Sequence, residues 1–163
     1  LARRVHVVAP FKPRNGIRVV SAAVIGLLWV ASLLLLLSGW KPGNYLSLEL
    51  VWALPPIAVQ LVFGADMLWH YRRLVIPAIV STTLYLCGMD ALAIASGTWT
   101  INPELSLGIL LGGILPVEEA LFFLLPNTLL VFGLVLGLAK ESSYRLPAQI
   151  MGGKTSQTQR LIR

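Results

Sequence analysis

The chain alternates between long apolar runs and short polar or basic breaks, and the runs have the length of membrane-spanning helices. Four such stretches are found, over residues 19–39, 48–68, 74–95 and 106–138. A helix crossing a bilayer needs about 20 apolar residues. The first three runs fit that length. The fourth is too long for one span and is punctuated by Gly112, Gly113 and Pro116. It divides into a short apolar lead up to Leu115 and a full span from Pro116, a residue favoured at the first helical position. The pattern predicts an all-α, polytopic membrane protein with about four transmembrane helices.

Composition agrees. Of 163 residues, 56% are hydrophobic and only 12% charged. A soluble domain of this size cannot bury so much apolar surface. Three regions follow: a basic lead-in over 1–18, a transmembrane region over 19–138, and a polar tail over 139–163 that reads as a linker or free end. The first run is too long for a signal-peptide core and reads as a span. The chain opens at Leu1 without a methionine, which reads as a fragment or a processed product.

The net charge of +6 does not indicate nucleic acid, because the cations lie outside the apolar runs. Five Lys/Arg precede residue 19, two stand at 72–73 and five follow residue 138; Lys41 alone lies elsewhere. The positive-inside rule then places both termini and the 69–73 loop in the cytoplasm. One cysteine, Cys87, excludes a disulfide within the chain and reads as a packing residue. Two histidines, His6 and His70, are too few and too far apart for a zinc site, so no metal is expected.

That orientation sorts the acids. Asp90 falls near the outer end of the third span, and Glu118 and Glu119 fall in the first turn of the fourth, in the same leaflet. Asp66 and His70 border the basic loop and read as solvated helix ends. A charge at the centre of a span costs roughly 2.5 to 3.5 kcal/mol on insertion scales. No Lys or Arg occurs between Arg73 and Lys140, so Glu118 and Glu119 must be neutralised by protons, hydrogen bonds or another chain. Glutamates at a helix start also suit ordinary capping. A carboxyl that holds a proton is a usable general acid. Glu119, Phe123 and Asn127 share one helix face, and Glu118 and Phe122 a neighbouring one. Pro126 frees the Phe122 carbonyl one turn beyond the acids. Pro55-Pro56 bends the second span, with Gln60 following. A Glu-Glu-x-x-x-Arg protease is excluded, since the arginine position is Phe123.

Asp90 with Gly97-Thr98-Trp99, then Pro116-Val117-Glu118-Glu119-Ala120-Leu121-Phe122-Phe123, then Asn127 and Val131-Phe132-Gly133 together resemble the membrane lycopene cyclase domain. That domain occurs as paired subunits or fused halves in bacteria and archaea and as the N-terminal part of fungal bifunctional lycopene cyclase/phytoene synthases. The resemblance spans residues 48–138. It implies an enzyme that closes a β-ionone ring on a linear carotene without a cofactor. Glu118 or Glu119 would donate the proton. Asp90 or the second glutamate would stabilise the cation and take the proton back. Trp99, Phe122, Phe123 and Asn127 would line the substrate. The family carries two copies of the pattern and this chain one, resembling the second half, so the resemblance implies a partner half beside the lipid and the carotene. Two rival readings stand beside it: a proton-coupled carrier using the same acids as a relay, and a non-catalytic membrane partner subunit.

Overall fold

The computed structural model describes residues 11–145. The first ten residues of the basic lead-in, His6 among them, and residues 146–163 of the polar tail lie outside the described residues. Four helices dominate: α1 (Asn15–Leu37), α2 (Asn44–His70), α3 (Arg72–Ala95) and α4 (Val117–Leu138). All four are long and apolar enough to cross a membrane. At 1.5 Å per residue the shortest reaches about 33 Å, against a hydrocarbon core of about 30 Å. The long apolar run over 106–138 divides as its glycines suggest. Its first part is a small antiparallel hairpin, β1 (Leu110–Leu111) on β2 (Leu115–Pro116). Gly112 and Gly113 turn it with φ of +60° and +73°, values that side-chain-bearing residues resist. Pro116 therefore ends a strand, and the helix starts at Val117.

α1 packs along α2, and α4 lies between α2 and α3, which scarcely touch each other. The starts of α2 and α4 meet the end of α3 at what is here called the acidic end. The other end, with Arg14, Arg72 and Arg145, is the basic end. Two apolar clusters fill the space between. Ala53, Leu54, Ile57 and Leu125 form one, and Met67, Leu68, Val75, Ile79 and Leu136 the other.

Irregularities in α2 are matched by donors from its neighbours. Pro55 has no N–H for the Val51 carbonyl, and the Trp29 indole of α1 donates to that oxygen at 3.0 Å. The helix leaves helical geometry at Gly64 (φ −156°, ψ 33°) rather than at the prolines. Beside that break, the Val62 carbonyl accepts from Arg18 Nε at 2.7 Å and the Phe63 carbonyl from Arg145 Nη1 at 2.6 Å. A break in an apolar helix is tolerated where such donors re-satisfy the backbone. Gly64 also lets α4 approach, since a β-carbon there would collide with Leu136 and Met67.

Asp66 departs from the sequence reading. It is not a solvated helix end: it is 3% exposed. Arg145 pairs with it at 2.9 and 2.5 Å, and the backbone N–H groups of Arg14 and Met67 each donate to it at 3.0 Å. Arg145 reaches Asp66 because residues Lys140–Arg145 form a short 3-10 helix folded back against α2, anchored by Ser142 Oγ on the Leu136 carbonyl. His70 is half-buried, edge-on to Phe11 and Tyr71. Sequence could not show this, because the partner of Asp66 lies 79 positions away.

Candidate functional site at the acidic end

Four carboxyl groups gather at the acidic end. Glu49 comes from the second turn of α2, Asp90 from the last turns of α3, and Glu118 and Glu119 from the first turn of α4. They are 3%, 4%, 0% and 9% exposed. Acidic side chains are almost never buried to this degree unless paired. Among the described residues the one ion pair is Arg145–Asp66, at the opposite end. Among the described residues, no cation forms an ion pair with any of the four acids. They are not spaced to hold a metal ion.

Local chain geometry fixes each one. The loop from 103 to 116 folds back along α4, with Val117 N donating to the Ile109 carbonyl at 2.9 Å. That brings Ser106 over Glu118. Glu118 Oε1 accepts from Ser106 Oγ at 3.0 Å and from Leu107 N at 2.6 Å. Glu119 Oε1 accepts from the Tyr45 hydroxyl at 2.5 Å. These partners all lie outside α4, so the two glutamates serve tertiary contacts rather than capping their own helix. Glu119 thus joins Tyr45 of α2 by a hydrogen bond and lies within Coulombic reach of Asp90 of α3. Several carboxyl oxygens are buried with no partner: both of Glu49, Oδ2 of Asp90 and Oε2 of Glu118.

The aromatic residues sit close by. Trp99, half-exposed, lies against the Asp90 carboxyl. Phe122 and Phe123 follow one turn along α4, edge-to-face with centroids 5.4 Å apart. Asn127 is not part of the acid set. It lies two turns on, about 12 Å along the axis, and its amide donates to Thr83 Oγ1 at 3.1 Å, tying α4 to α3. An apolar groove of about 480 Å³ runs between α3 and α4 under the hairpin, lined by Cys87, Gly88, Ala91, Leu115, Ala120 and Leu124 among others. Ala91 and Ala120 are the sequence neighbours of Asp90 and Glu119, although none of the four acids itself lines the groove.

No family model matches the chain, and no solved structure matches it. Curated relatives do. A bifunctional lycopene cyclase/phytoene synthase of Gibberella fujikuroi is 37% identical over 119 residues, which are 71% of this chain and 19% of that protein. One from Leptosphaeria maculans is 42% identical over 97 residues, 56% of this chain and 16% of the relative. A lycopene beta-cyclase of Halobacterium salinarum is 37% identical over 92 residues, 56% of this chain and 38% of the relative. The chain is a homologue of lycopene cyclases. It spans less than two fifths of the length of each of these relatives.

In this cyclase homologue the sequence reading had Asp90, Glu118, Glu119 and Trp99 at one end, and the fold puts them there. It passed over Glu49, Tyr45 and Ser106. For Glu49 the signal was present: it falls in the first turn of the second apolar run, at the end away from the basic loop. Tyr45 lies one turn before it, ahead of the apolar run. Ser106 carried no signal, because only the folded hairpin lays it over Glu118.

Proposed function

We propose that this chain is the acid-bearing part of a lycopene β-cyclase. It resembles the second half of such an enzyme and works with a further half that completes the site. The observation that carries the reading is the set of four buried carboxyls that pair with no cation among the described residues, in a chain whose helices are long and apolar enough to cross a membrane. A soluble acid–base enzyme has no need of that combination. An enzyme that protonates a bilayer-dissolved hydrocarbon does. The names of the relatives support the same substrate class.

The chemistry is an isomerisation and needs no redox partner. A carboxyl of Glu118 or Glu119 gives its proton to the terminal double bond of a linear carotene, leaving a carboxylate and a tertiary cation. An internal double bond attacks that cation and closes a six-membered ring. A carboxylate of the same set, with Asp90 as a member, stabilises the new cation and removes a ring proton to leave the β-ionone double bond. Trp99, Phe122 and Phe123 offer ring faces to the passing cation. The helices cross the membrane four times, with both termini and the 69–73 loop in the cytoplasm and the acids near the opposite surface; the distribution of Lys and Arg supports this.

The test is expression in a lycopene-accumulating host, with and without a complementary cyclase half, followed by pigment analysis. The assembled pair is expected to form cyclic carotenes. Glu118→Gln with Glu119→Gln should lower that by about 10²-fold or more at unchanged membrane protein level. Ring formation at the parental rate by the double variant would sink the mechanism. Dissipation of a proton gradient in vesicles, with lycopene left untouched, would point to a carrier instead.

A further inference from the structure

Glu49 has no role in the scheme above, yet it is the most isolated of the four acids. It is 3% exposed, and neither carboxyl oxygen has a hydrogen-bond partner. A carboxylate left buried without donors is costly. Natural chains keep such a group where its surroundings use it. Its surroundings are Tyr45, one turn back on the same face of α2, and Glu119 and Glu118 of α4, both within Coulombic reach. Asp90 of α3 is within Coulombic reach of both Glu119 and Tyr45. Among the described residues, no Lys, Arg or His forms an ion pair with them.

Tyr45 is hydrogen-bonded to Glu119 and lies one turn from Glu49, to which it makes no hydrogen bond in the structure. Its hydroxyl spends its one proton on Glu119 Oε1. A phenol oxygen can also accept, and the group beside it able to donate is Glu49 when that carboxyl carries a proton. We infer that Glu49, Tyr45 and Glu119 form a proton relay. Glu49 gives its proton to the Tyr45 oxygen while Tyr45 gives its own to Glu119. The shift leaves Glu49 as a carboxylate, Tyr45 as an unchanged phenol and Glu119 as a carboxylic acid. The reverse shift restores the start. The relay deepens the cyclase reading and rests on it: after Glu119 has given a proton to the carotene, Glu49 reloads it from within the protein. Glu49 and Tyr45 are thus positioning residues that act through Glu119.

The decisive comparison is Glu49→Asp against Glu49→Gln in the assembled pair, with Tyr45→Phe beside them. A packing role favours Gln, which keeps the shape of glutamate and buries no charge. A relay favours Asp, which keeps the proton. The expected result is ring formation lowered by about 10²-fold in Glu49→Gln and Tyr45→Phe, in kcat rather than KM, and partly restored in Glu49→Asp. Glu49→Gln cyclising at the parental rate overturns the relay. A second measurement does not depend on turnover. Infrared difference spectra of the purified chain in lipid should show a protonated-carboxyl band that Glu49→Gln removes and Tyr45→Phe displaces. An unchanged band in both variants overturns the relay even if the parent protein cyclises. If the parent makes no rings but the band behaves as expected, the cyclase reading fails and the hydrogen-bonded relay stands.

Discussion

Arg145→Met should destabilise the fold far more than a surface charge change would. The substitution keeps most of the side-chain volume and removes three hydrogen bonds. Two go to Asp66, at 2.9 and 2.5 Å, and one to the Phe63 carbonyl at 2.6 Å. The arginine side chain is 17% exposed and that of Asp66 is 0% exposed, so water cannot replace what is lost. Removing one partner of a buried pair costs about 3–5 kcal/mol. Asp66 would keep two backbone donors, from Arg14 and Met67, which places the loss at the lower end, about 3 kcal/mol. The orphaned Phe63 carbonyl adds about 1 kcal/mol. A total near 4 kcal/mol is a large share of the roughly 5–15 kcal/mol that holds a typical domain folded. The assay is reversible unfolding in mixed micelles with rising SDS fraction, read by Trp fluorescence or circular dichroism. Adding Asp66→Asn to Arg145→Met removes the stranded charge, so the double variant should recover about 1–2 kcal/mol of the loss. If Arg145→Met unfolds within about 0.5 kcal/mol of the parent, the pair is solvated, the 140–145 segment is not docked, and the account of Asp66 is wrong.

Two further outcomes are expected from the same assay. Gly64→Ala places a methyl group against Met67 at 2.7 Å and against Leu136, and should cost about 1–3 kcal/mol; Leu136→Ala in the same chain should return part of it, and purely additive losses would refute the close approach. Tyr71 donates to both Glu141 oxygens at 3.2 and 3.1 Å, and burial first, then Glu141, raises its phenol above the usual tyrosine value. The stability it contributes is full below about pH 10 and is lost as pH climbs through the higher folded value. Tyr71→Phe should therefore flatten the alkaline limb of the stability profile, and superimposable limbs would exclude the contact.

The sequence by itself determined what depends on neighbours along the chain. Four apolar runs predicted four helices, and each forms a helix long and apolar enough to cross a membrane. Gly112 and Gly113 marked the break before α4. Counting Lys and Arg on alternate sides brought Asp90, Glu118 and Glu119 to one level. The residues that carry the resemblance lie close together in the chain, so relatedness to lycopene cyclases was legible too. The tertiary structure decided what depends on partners far apart in sequence. It set α4 between α2 and α3, which hydropathy cannot order. It turned Asp66 from a solvated helix end into a buried pair, because Arg145 comes back from beyond α4. It brought Tyr45 and Glu49 of α2 to Glu119, 74 positions from Tyr45, and laid Ser106 over Glu118. Burial and hydrogen bonding are properties of those meetings. Identical glutamates are a wet helix end or a buried acid cluster according to which helix the fold sets beside them.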